Sequence, residues 1–565
     1  MKIFRVGLAI KTAFIVFMVV NANSSLAQSK NVKINSNLFV EELQLFCDRD
    51  TYLPNDKIQF YVNYTVKTDL PDAKLSRVVY VELITYTGEP LVKNKLGFKG
   101  DGAGGILEIP ENIPSGYYYL KAYTRWMRNY GAETYEYIPV KIINFRLTES
   151  VSIPAKDYKP MFYIDTTKIP ISKKGLAIDE NDILRGSTVN VKILPTNNNP
   201  KLYCITVFPY NLFNEKSIGV RPINESNTFH MDFMPETRGV SLSGVLLAKN
   251  SDMPIANTMV NISVLDSINQ SITTMSDSGG RFYFNLLDSY GENELLITAG
   301  YESDSIRILV DNDFCSKKTS LPFIPFNLNN NELNRYKKFI NTGIVEKQYE
   351  QNVSADSIFN TDIIELNYQK PDFELLLSDY IDLPSLGDYF YELVPNVGIR
   401  KVDEKIAFQL FGDYSEFFVY KPLVLLDNVI IADVNKLLQV SPKKIERIEV
   451  LEKPYAIGNY IYGGVISIFS KKGDLGDIEL PNSGVYLNYQ MLSKNSSIGF
   501  NQEIIDNKPN IRNTIFWKAF TKNEIKQLNS ISFNVGDIPG KYIIEVKKLL
   551  GNNKIVIDTA LFIVK

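Results

Sequence analysis

The sequence has very little of the chemistry on which most enzymes depend. It contains one histidine, His230, so a Ser-His-Asp or Cys-His site would have to use that residue, and a zinc enzyme usually needs two or three imidazoles. No G-x-S-x-G, H-E-x-x-H or G-x-x-x-x-G-K-S/T motif occurs. Because His230 lies in a stretch of strand-like alternation, we expect it to be structural. We therefore predict no catalytic, cofactor-binding or metal-binding residues, no cofactor and no enzymatic activity; a metal-independent carboxylate enzyme is the alternative that the sequence leaves open.

Cysteine is also scarce. The chain has three, Cys47, Cys204 and Cys315, which are far apart and form no C-x-x-C pair. A disulfide framework would need many more. We expect small buried apolar side chains, and a single long-range disulfide in an oxidising compartment is the alternative.

The chain lacks an excess of positive charge. Its formal net charge is −3, so the sequence does not predict a basic surface for binding nucleic acid. What it has instead is 33 tyrosines and 32 phenylalanines within a hydrophobic content of 45%, while alanine-rich helical segments are scarce. Aromatic residues favour strands. At roughly 100 to 200 residues per domain, the chain is predicted to be a mainly β protein of several domains.

The amino terminus has the pattern of a secretory signal peptide. Lys2 and Arg5 precede the apolar run 13–20, and small residues lead to a cleavage site after Ala27. The apolar run is shorter than the ~20 residues that span a bilayer. We therefore expect residues 1–27 to be removed on export; an uncleaved anchor is the alternative.

Residues 38–145 contain two stretches that resemble the same type of domain. The first, CDRDTYLPNDKIQFYV, and the second, IPENIPSGYYYLKAYTRWMRNYG, resemble the macroglobulin-type β-sandwich of bacterial envelope proteins. Asn55 stands where that family has glycine, and asparagine also tolerates a positive φ. The C-G-E-Q thioester motif of protease-trapping macroglobulins is absent, so covalent trapping is not expected.

The next two ranges are also predicted to be sandwiches. Residues 150–237 include the strand-like runs STVNVKIL and KLYCITVFPY. Residues 238–312 resemble the carboxypeptidase regulatory-like domain, a transthyretin-like sandwich that has no peptidase chemistry. That resemblance rests on Gly244, Val245, Pro254, Ile255, Asn257, Val260, Asp277, Gly280 and Phe282. In its D-x-x-G turn, Asp277 should cap the turn and Gly280 should take a positive φ.

Residues 313–370 are polar and rich in asparagine. Apolar positions at helical spacing follow the possible N-caps Asn329–Asn331. We predict a linker that contains one or two helices.

Residues 372–475 resemble the plug domain of TonB-dependent transporters. The segments are LPSLGDYFYELVPNVGIRK, KPLVLLDNVII with Asn428 in place of a glycine, SPKKIERIEVLE, and YGGVISI. The resemblance implies a small α/β fold in which Leu386, Phe390, Leu393 and Val394 share one helix face, and in which Ile445, Ile448, Val450 and Leu451 point inward.

The transporter barrel that usually follows such a plug is not expected here. A plugged barrel has about 22 strands, and the chain ends at Lys565, fewer than 100 residues after Gly473. Residues 476–565 do not repeat lipid-facing strands with aromatic girdles, and they include RNTIFWKAF, which resembles the last domain of similar modular proteins. We predict a C-terminal β-sandwich for 476–565.

These resemblances imply a non-enzymatic binding or scaffold protein of a Gram-negative cell envelope, in the periplasm or associated with the outer membrane. Its expected partner is a protein, such as an outer-membrane barrel complex for transport, assembly or secretion, because edge strands of serial sandwiches accept partner strands. No nucleic-acid partner and no membrane-spanning segment of the mature chain are expected. The alternative is a surface or secreted glycan- or peptide-binding accessory protein for nutrient uptake.

Two clusters could contact a partner: Tyr117–Tyr119 with Trp126 and Arg128, and Lys443 and Lys444 with Arg447. Aromatic residues in strands are more often core, and lysines on a turn are more often solvated. We expect these ordinary roles for both clusters.

Overall fold

The computed structural model describes most of the chain after residue 39. The described ranges are 40–67, 75–147, 149–166, 171–194, 200–212, 219–224, 229–265, 270–286, 290–299, 305–328, 336, 370–402, 405–412, 419–457, 460–478, 484–494, 510–551 and 553–565. Contacts divide the chain into two units, Glu41–Thr65 with Lys74–Lys565, and Met1–Val40 with Val66–Ala73. The sandwiches and the insert lie in the larger unit, Glu41–Thr65 with Lys74–Lys565. The predicted signal peptide, 1–27, lies outside the described residues.

Strands dominate the described residues, which confirms the mainly β fold class. The first eight are β1 (Val40–Cys47), β2 (Thr51–Tyr52), β3 (Lys57–Lys67), β4 (Val78–Ile84), β5 (Pro90–Gly97), β6 (Gly102–Glu108), β7 (Gly116–Tyr123) and β8 (Glu136–Ile142). The next seven are β9 (Phe162–Asp165), β10 (Ile171–Ser172), β11 (Leu176–Ile178), β12 (Asp182–Ile183), β13 (Thr188–Ile193), β14 (Pro200–Pro209) and β15 (Gly219–Pro222). They are followed by β16 (Ser241–Ala248), β17 (Met259–Leu265), β18 (Gln270–Met275), β19 (Arg281–Asn285), β20 (Glu292–Ala299) and β21 (Ile306–Val310).

The remaining elements include three short α-helices. The strands are β22 (Phe373–Leu376), β23 (Val397–Val402), β24 (Lys405–Leu410), β25 (Leu423–Leu426), β26 (Val429–Ile430), β27 (Ile445–Leu451), β28 (Tyr455–Ile457), β29 (Tyr460–Tyr462), β30 (Val465–Ser470), β31 (Val485–Gln490), β32 (Phe516–Thr521), β33 (Ser530–Asn534), β34 (Gly540–Leu550) and β35 (Ile555–Val564). The helices are α1 (Leu386–Glu392), α2 (Val434–Leu438) and α3 (Lys522–Ile525). None of the helices in the described ranges has the length and apolar content needed to cross a bilayer.

The first sandwich consists of β1–β8, in sheets ordered β1-β3-β6 and β2-β8-β7-β4-β5. Every residue of β4, VVYVELI, is buried, because this strand has a neighbour on each side and both of its faces are covered. Asn55 has a φ of +68°, as expected for a residue that replaces a turn glycine.

The composite sandwich combines two distant parts of the chain. Its larger sheet has the order β10-β35-β34-β14-β32, with β12 also paired to β35, and its smaller sheet has the order β11-β13-β33. Completely buried side chains between the sheets include Val191, Ile205, Ile544 and Val546. The sequence predicted these strands in two separate sandwiches, 150–237 and 476–565. In the structure they hydrogen-bond in shared sheets, a pairing that local patterns cannot reveal.

The central sandwich consists of β16–β21 and β31. One sheet has the order β19-β16-β21 and the other β18-β17-β20-β31. In the predicted D-x-x-G turn, Asp277 Oδ1 accepts the backbone N–H of Arg281 at 2.8 Å and Gly280 has a φ of +72°. We call β31 the closing strand, because it comes from far beyond β21 and pairs antiparallel with β20.

The chain between β21 and the closing strand forms what we call the insert, β22–β30 with α1 and α2. Its main sheet has the order β22-β27-β30-β25-β26. Ser385 begins α1 with a capping box to Asp388. Leu386, Phe390 and Val394 are buried in one core, with Leu393 packed against it, as the sequence predicted. The predicted inward residues Ile445, Ile448, Val450 and Leu451 are buried, and Asn428 has a φ of +65°.

Residues 311–328 form an extended strap along the first sandwich. Leu321 is completely buried, and its N–H donates to the Tyr86 carbonyl at 2.8 Å. The Tyr119 hydroxyl donates to the carbonyl of Pro322 at 2.5 Å. The predicted helical linker, 313–370, lies mostly outside the described residues. Residues 313–328 are held extended by tertiary hydrogen bonds, whereas Tyr336, the one described residue between 329 and 369, is helical.

Replacing Ile544 with alanine should lower the free energy of unfolding by about 2–5 kcal/mol, because it leaves a cavity among fully buried side chains. Since the core is shared, hydrogen exchange should accelerate in β13 and β14 as well as in β34. Ile563→Ala, at a side chain that is 44% exposed on β35, is the control and should cost about 0.5 kcal/mol or less. Acceleration confined to β32–β35 would contradict the shared core.

Candidate functional site

The W-M-R-N segment joins the first sandwich to the central sandwich. It forms a 3₁₀ turn, Trp126–Asn129. The Asn129 side chain accepts the backbone N–H groups of Asp232 and Phe233, both at 2.9 Å, and donates to the Phe233 carbonyl at 2.8 Å. The Arg128 guanidinium lies 3.8 Å from the centroid of the Phe233 ring. The motif therefore holds the chain segment that leads into the central sandwich.

An aromatic cluster lies beside this turn. The ring centroid of Phe229 is 5.5 Å from that of Trp126 and 4.9 Å from that of Tyr130, and all three rings are half-buried. His230 is exposed, and its backbone N–H donates to the Asn129 carbonyl at 3.0 Å. The alternation around His230 suggested a strand, but the structure has no strand there because Asn129 holds the segment as a loop.

The tyrosines that precede this motif belong to the core. Tyr118 and Tyr119 in β7 are 2% and 0% exposed. Their neighbour Tyr117 is half-buried. These tyrosines have the structural role that we expected of strand aromatics.

A buried carboxyl–guanidinium junction lies behind the turn. Glu236 is completely buried, and its Oε1 accepts the Tyr80 hydroxyl at 3.0 Å and the backbone N–H of Ser241 at 2.9 Å. Arg125 donates to the Ser241 carbonyl at 3.1 Å and to the Ser243 hydroxyl at 2.6 Å. Burial raises the pKa of the Glu236 carboxyl to about 7, although the Arg125 charge opposes this. The junction therefore contains a carboxyl that titrates close to neutral pH.

A second junction, which we call the Lys95 clamp, connects three distant segments. Lys95 in β5 is completely buried. Its Nζ donates to Asp313 Oδ2 at 2.6 Å, to the Tyr489 hydroxyl at 3.1 Å and to the Gln490 carbonyl at 2.8 Å. An isolated buried ammonium group would cost several kcal/mol. The strap and the closing strand supply the three acceptors that make this burial possible, although Tyr489 is 394 positions from Lys95.

A third junction brings together two motifs from separately predicted domains. Arg49, in CDRDTYLPND, donates to Asp56 at 2.7 Å and lies 3.7 Å from Asp48. From RNTIFWKAF, the Thr514 hydroxyl donates to Asp48, 466 positions away, and Asn513 Nδ2 donates to Asp56 at 3.2 Å. The first sandwich and the composite sandwich therefore share a buried polar network.

The insert packs on the central sandwich through one face of its sheet. Along β25, Val424 and Leu426 lie in the insert's main core, which Leu296 of β20 also joins, whereas Leu423 and Leu425 lie in a cluster that Ile272 of β18 also contacts. The Ser271 hydroxyl donates to the Asn428 carbonyl at 2.6 Å. Both faces of this strand are consequently buried.

The basic cluster on the insert is partly neutralised. Lys444 forms an ion pair with Asp477, and Arg447 donates to Glu449 at 2.8 Å. The Arg447 guanidinium also lies 3.7 Å from the Phe469 ring centroid. Lys443 is exposed, in agreement with the expected solvated turn.

Two of the cysteines are buried, Cys47 and Cys204, and Cys315 is half-buried; all three are free thiols. Burial raises the pKa of the Cys47 thiol to about 12, and burial also raises the pKa of Cys204. Because the thiolate is the reactive form, neither buried thiol is suited to nucleophilic chemistry.

The charged groups that the structure brings together join modules. In the described part of the chain, no group of three or more His, Cys, Asp or Glu side chains could hold a metal ion. Sequence reasoning missed Lys95, Glu236 and Tyr489, because their partners lie far away along the chain. A lysine inside the strand-like run LVKNKLGF was the one available signal for Lys95.

Comparisons with known proteins give weak likenesses only. No protein-family model matches the sequence, and no curated protein matches it significantly. Among solved structures, the chain is similar to the Escherichia coli alpha-2-macroglobulin in its native conformation, with a TM-score of 0.23 and 10% identity over 93% of this chain and 40% of the other. A Salmonella alpha-2-macroglobulin mutant gives a TM-score of 0.22 and 9% identity over 96% of this chain and 40% of the other.

A third similar structure is the adhesin InvE of Yersinia pseudotuberculosis, with a TM-score of 0.14 and 10% identity over 47% of this chain and 57% of that chain. The chain spans less than two thirds of the length of each of these proteins.

Replacing Arg49 with methionine should lower the free energy of unfolding by about 3–5 kcal/mol, because two buried carboxylates lose their cation. Urea denaturation measures this cost. Arg146→Met removes an ion pair whose arginine is 46% exposed, so that control should cost less than about 1 kcal/mol. Equal losses of unfolding free energy in the two variants would show that the buried network contributes no more than an exposed ion pair.

Glu236→Gln should flatten the pH dependence of stability. The raised pKa of Glu236 means that the folded protein holds this proton more tightly than the unfolded chain does. The contribution of this group to the free energy of unfolding is therefore complete below its ordinary pKa of 4.5, and it is lost as the pH rises to about 7. Denaturation at several pH values should show a smaller fall for Glu236→Gln. Glu111→Gln, at a side chain that is 51% exposed, should keep the original slope. An unchanged slope in Glu236→Gln would contradict the assignment.

Proposed function

We propose that this protein is a non-enzymatic binding or scaffold protein of the cell envelope, exported to the periplasm or associated with the outer membrane. Its partner is a protein, such as an outer-membrane barrel complex for transport, assembly or secretion. The sequence resemblances to macroglobulin-like, regulatory-like and plug-like modules support this proposal. In this arrangement the insert is the plug-like module and contacts the partner.

The observation that carries the proposal is the way in which the insert is held. One face of its sheet packs on the central sandwich through Leu423, Leu425 and Val465. The strap precedes the insert along the chain and the closing strand follows it, and both meet at the Lys95 clamp. A module fixed by packing on one face presents the rest of its surface in a constant position, which suits a scaffold.

Several large apolar side chains on the insert are exposed. Ile381, Tyr391 and Val419 are 81%, 80% and 83% exposed. Tyrosine is enriched at protein interfaces, and Tyr391 lies on α1 beside the exposed Glu392. These exposed side chains of the insert are where we expect contact with a partner.

Site-specific photo-crosslinking in intact cells tests the proposal. A photoreactive residue at Tyr391 should give crosslinks to an outer-membrane protein, because this side chain is exposed on the insert. The control is Ile153, which is 83% exposed outside the insert and should not give that product. Crosslinks from both positions in equal amounts, or no outer-membrane protein at either, would count against the proposal.

Protease treatment of intact cells separates the second candidate, a surface-exposed or secreted glycan- or peptide-binding accessory protein. The scaffold proposal expects cleavage only after the outer membrane has been permeabilised. Cleavage of the chain in intact cells would favour the accessory protein instead.

A further inference from the structure

The closing strand occupies a sheet edge that a strand from another molecule could also occupy. We infer that the outer edge of β20 is a strand-acceptor site, that β31 is its internal occupant, and that an external strand with the same alternation replaces β31 when the Lys95 clamp opens. This inference rests on the pairing of β31 and on the Lys95 clamp, and not on the identity of any partner of the insert, so its failure would leave the proposed function standing.

β31 pairs regularly with β20 along one of its two edges. Its residues pair antiparallel with β20 from Val485 opposite Ile297 to Gln490 opposite Glu292. The Gln490 carbonyl is directed away from β20, toward Lys95. Because backbone groups alternate along an antiparallel pair, the amides and carbonyls of Tyr486 and Asn488 also point away from β20. In the described ranges no strand pairs with that side of β31, so β31 is an edge strand.

The two ends of the closing strand are held unequally. At its carboxyl end, Tyr489 and Gln490 meet Lys95, and the Ser493 N–H donates to the Lys95 carbonyl at 2.7 Å. At its amino end, Val485 is half-buried and Tyr486 is 56% exposed. The strand should therefore separate from its amino end, which is the end connected to the insert. A force on the insert would peel β31 toward the clamp.

Separation of β31 would expose a row of unpaired N–H and C=O groups on β20, which is a template for strand addition. The side chains that β31 contributes define the chemistry of a replacement. Leu487 lies opposite Leu295, which is completely buried, and the Tyr489 hydroxyl contacts Asp313. The fitting partner is an extended segment with apolar residues at the first two inward positions and a tyrosine at the third.

The chain itself supplies the probe for this site. A fluorescent peptide of residues 484–494, GVYLNYQMLSK, should bind saturably to the full-length chain carrying Lys95→Met, because this change removes the clamp. Binding to the unmodified chain should be at least about tenfold weaker, since β31 competes from within the molecule. The same peptide with Leu487→Asp should not bind, because it would place an unpaired carboxylate opposite the completely buried Leu295.

Lys548→Met is the matched control. Lys548 is also a buried lysine paired with an aspartate, Asp558, but it lies in the composite sandwich. Hydrogen exchange of β20 should be about 100-fold faster in Lys95→Met, in line with the loss of one partner of a buried pair. It should be unchanged in Lys548→Met, and that variant should not bind the peptide.

Tyr489→Phe gives an independent variant that keeps the Lys95–Asp313 pair and removes one hydroxyl. It should bind the peptide more weakly than Lys95→Met and more tightly than the unmodified chain. If Lys95→Met does not fold, the test is peptide binding to Tyr489→Phe. Failure of the peptide to bind Tyr489→Phe would then overturn the inference. Equal binding to Lys95→Met and Lys548→Met would also overturn it, because the peptide would then recognise general loosening.

Discussion

A buried ammonium group holds together parts of this chain that are nearly 400 positions apart. Lys95 has three donors and three acceptors, Asp313, Tyr489 and the Gln490 carbonyl. Removing one partner of such a buried pair typically costs about 3–5 kcal/mol, which is a large fraction of the roughly 5–15 kcal/mol by which domains are stable. The clamp therefore contributes more than the exposed ion pairs, which are each worth about 1 kcal/mol or less.

The clamp is necessary because the modules are nested. The composite sandwich begins with β10–β14 and is completed by β32–β35, and the central sandwich begins with β16–β21 and is completed by β31. The entropy of closing a long loop grows only slowly with loop length, so the large insertions are tolerated once the closing contacts form. Such non-local pairing is slow to fold, and stable closing contacts are what make the folded arrangement persist.

Local features could be predicted well from the sequence. The positive φ of Asn55 and Asn428, the Asp277 turn and the inward face of α1 all follow from rules that act over a few residues. The strand content followed from the aromatic composition. The assignment of 476–565 to a sandwich of its own missed the sharing of sheets with 150–237, because alternation predicts which face of a strand is buried and not which strand lies beside it. The meeting of Asp48 with Thr514 could not be predicted for the same reason.

The proposed scaffold role requires the insert to be held in one position relative to the first sandwich. Distance measurement between spin labels at Tyr391→Cys on the insert and Ile153→Cys, both highly exposed sites, tests it in a chain where the half-buried Cys315 is replaced by serine. The account predicts a single narrow distance distribution. A broad distribution, or two well-separated populations, would contradict it.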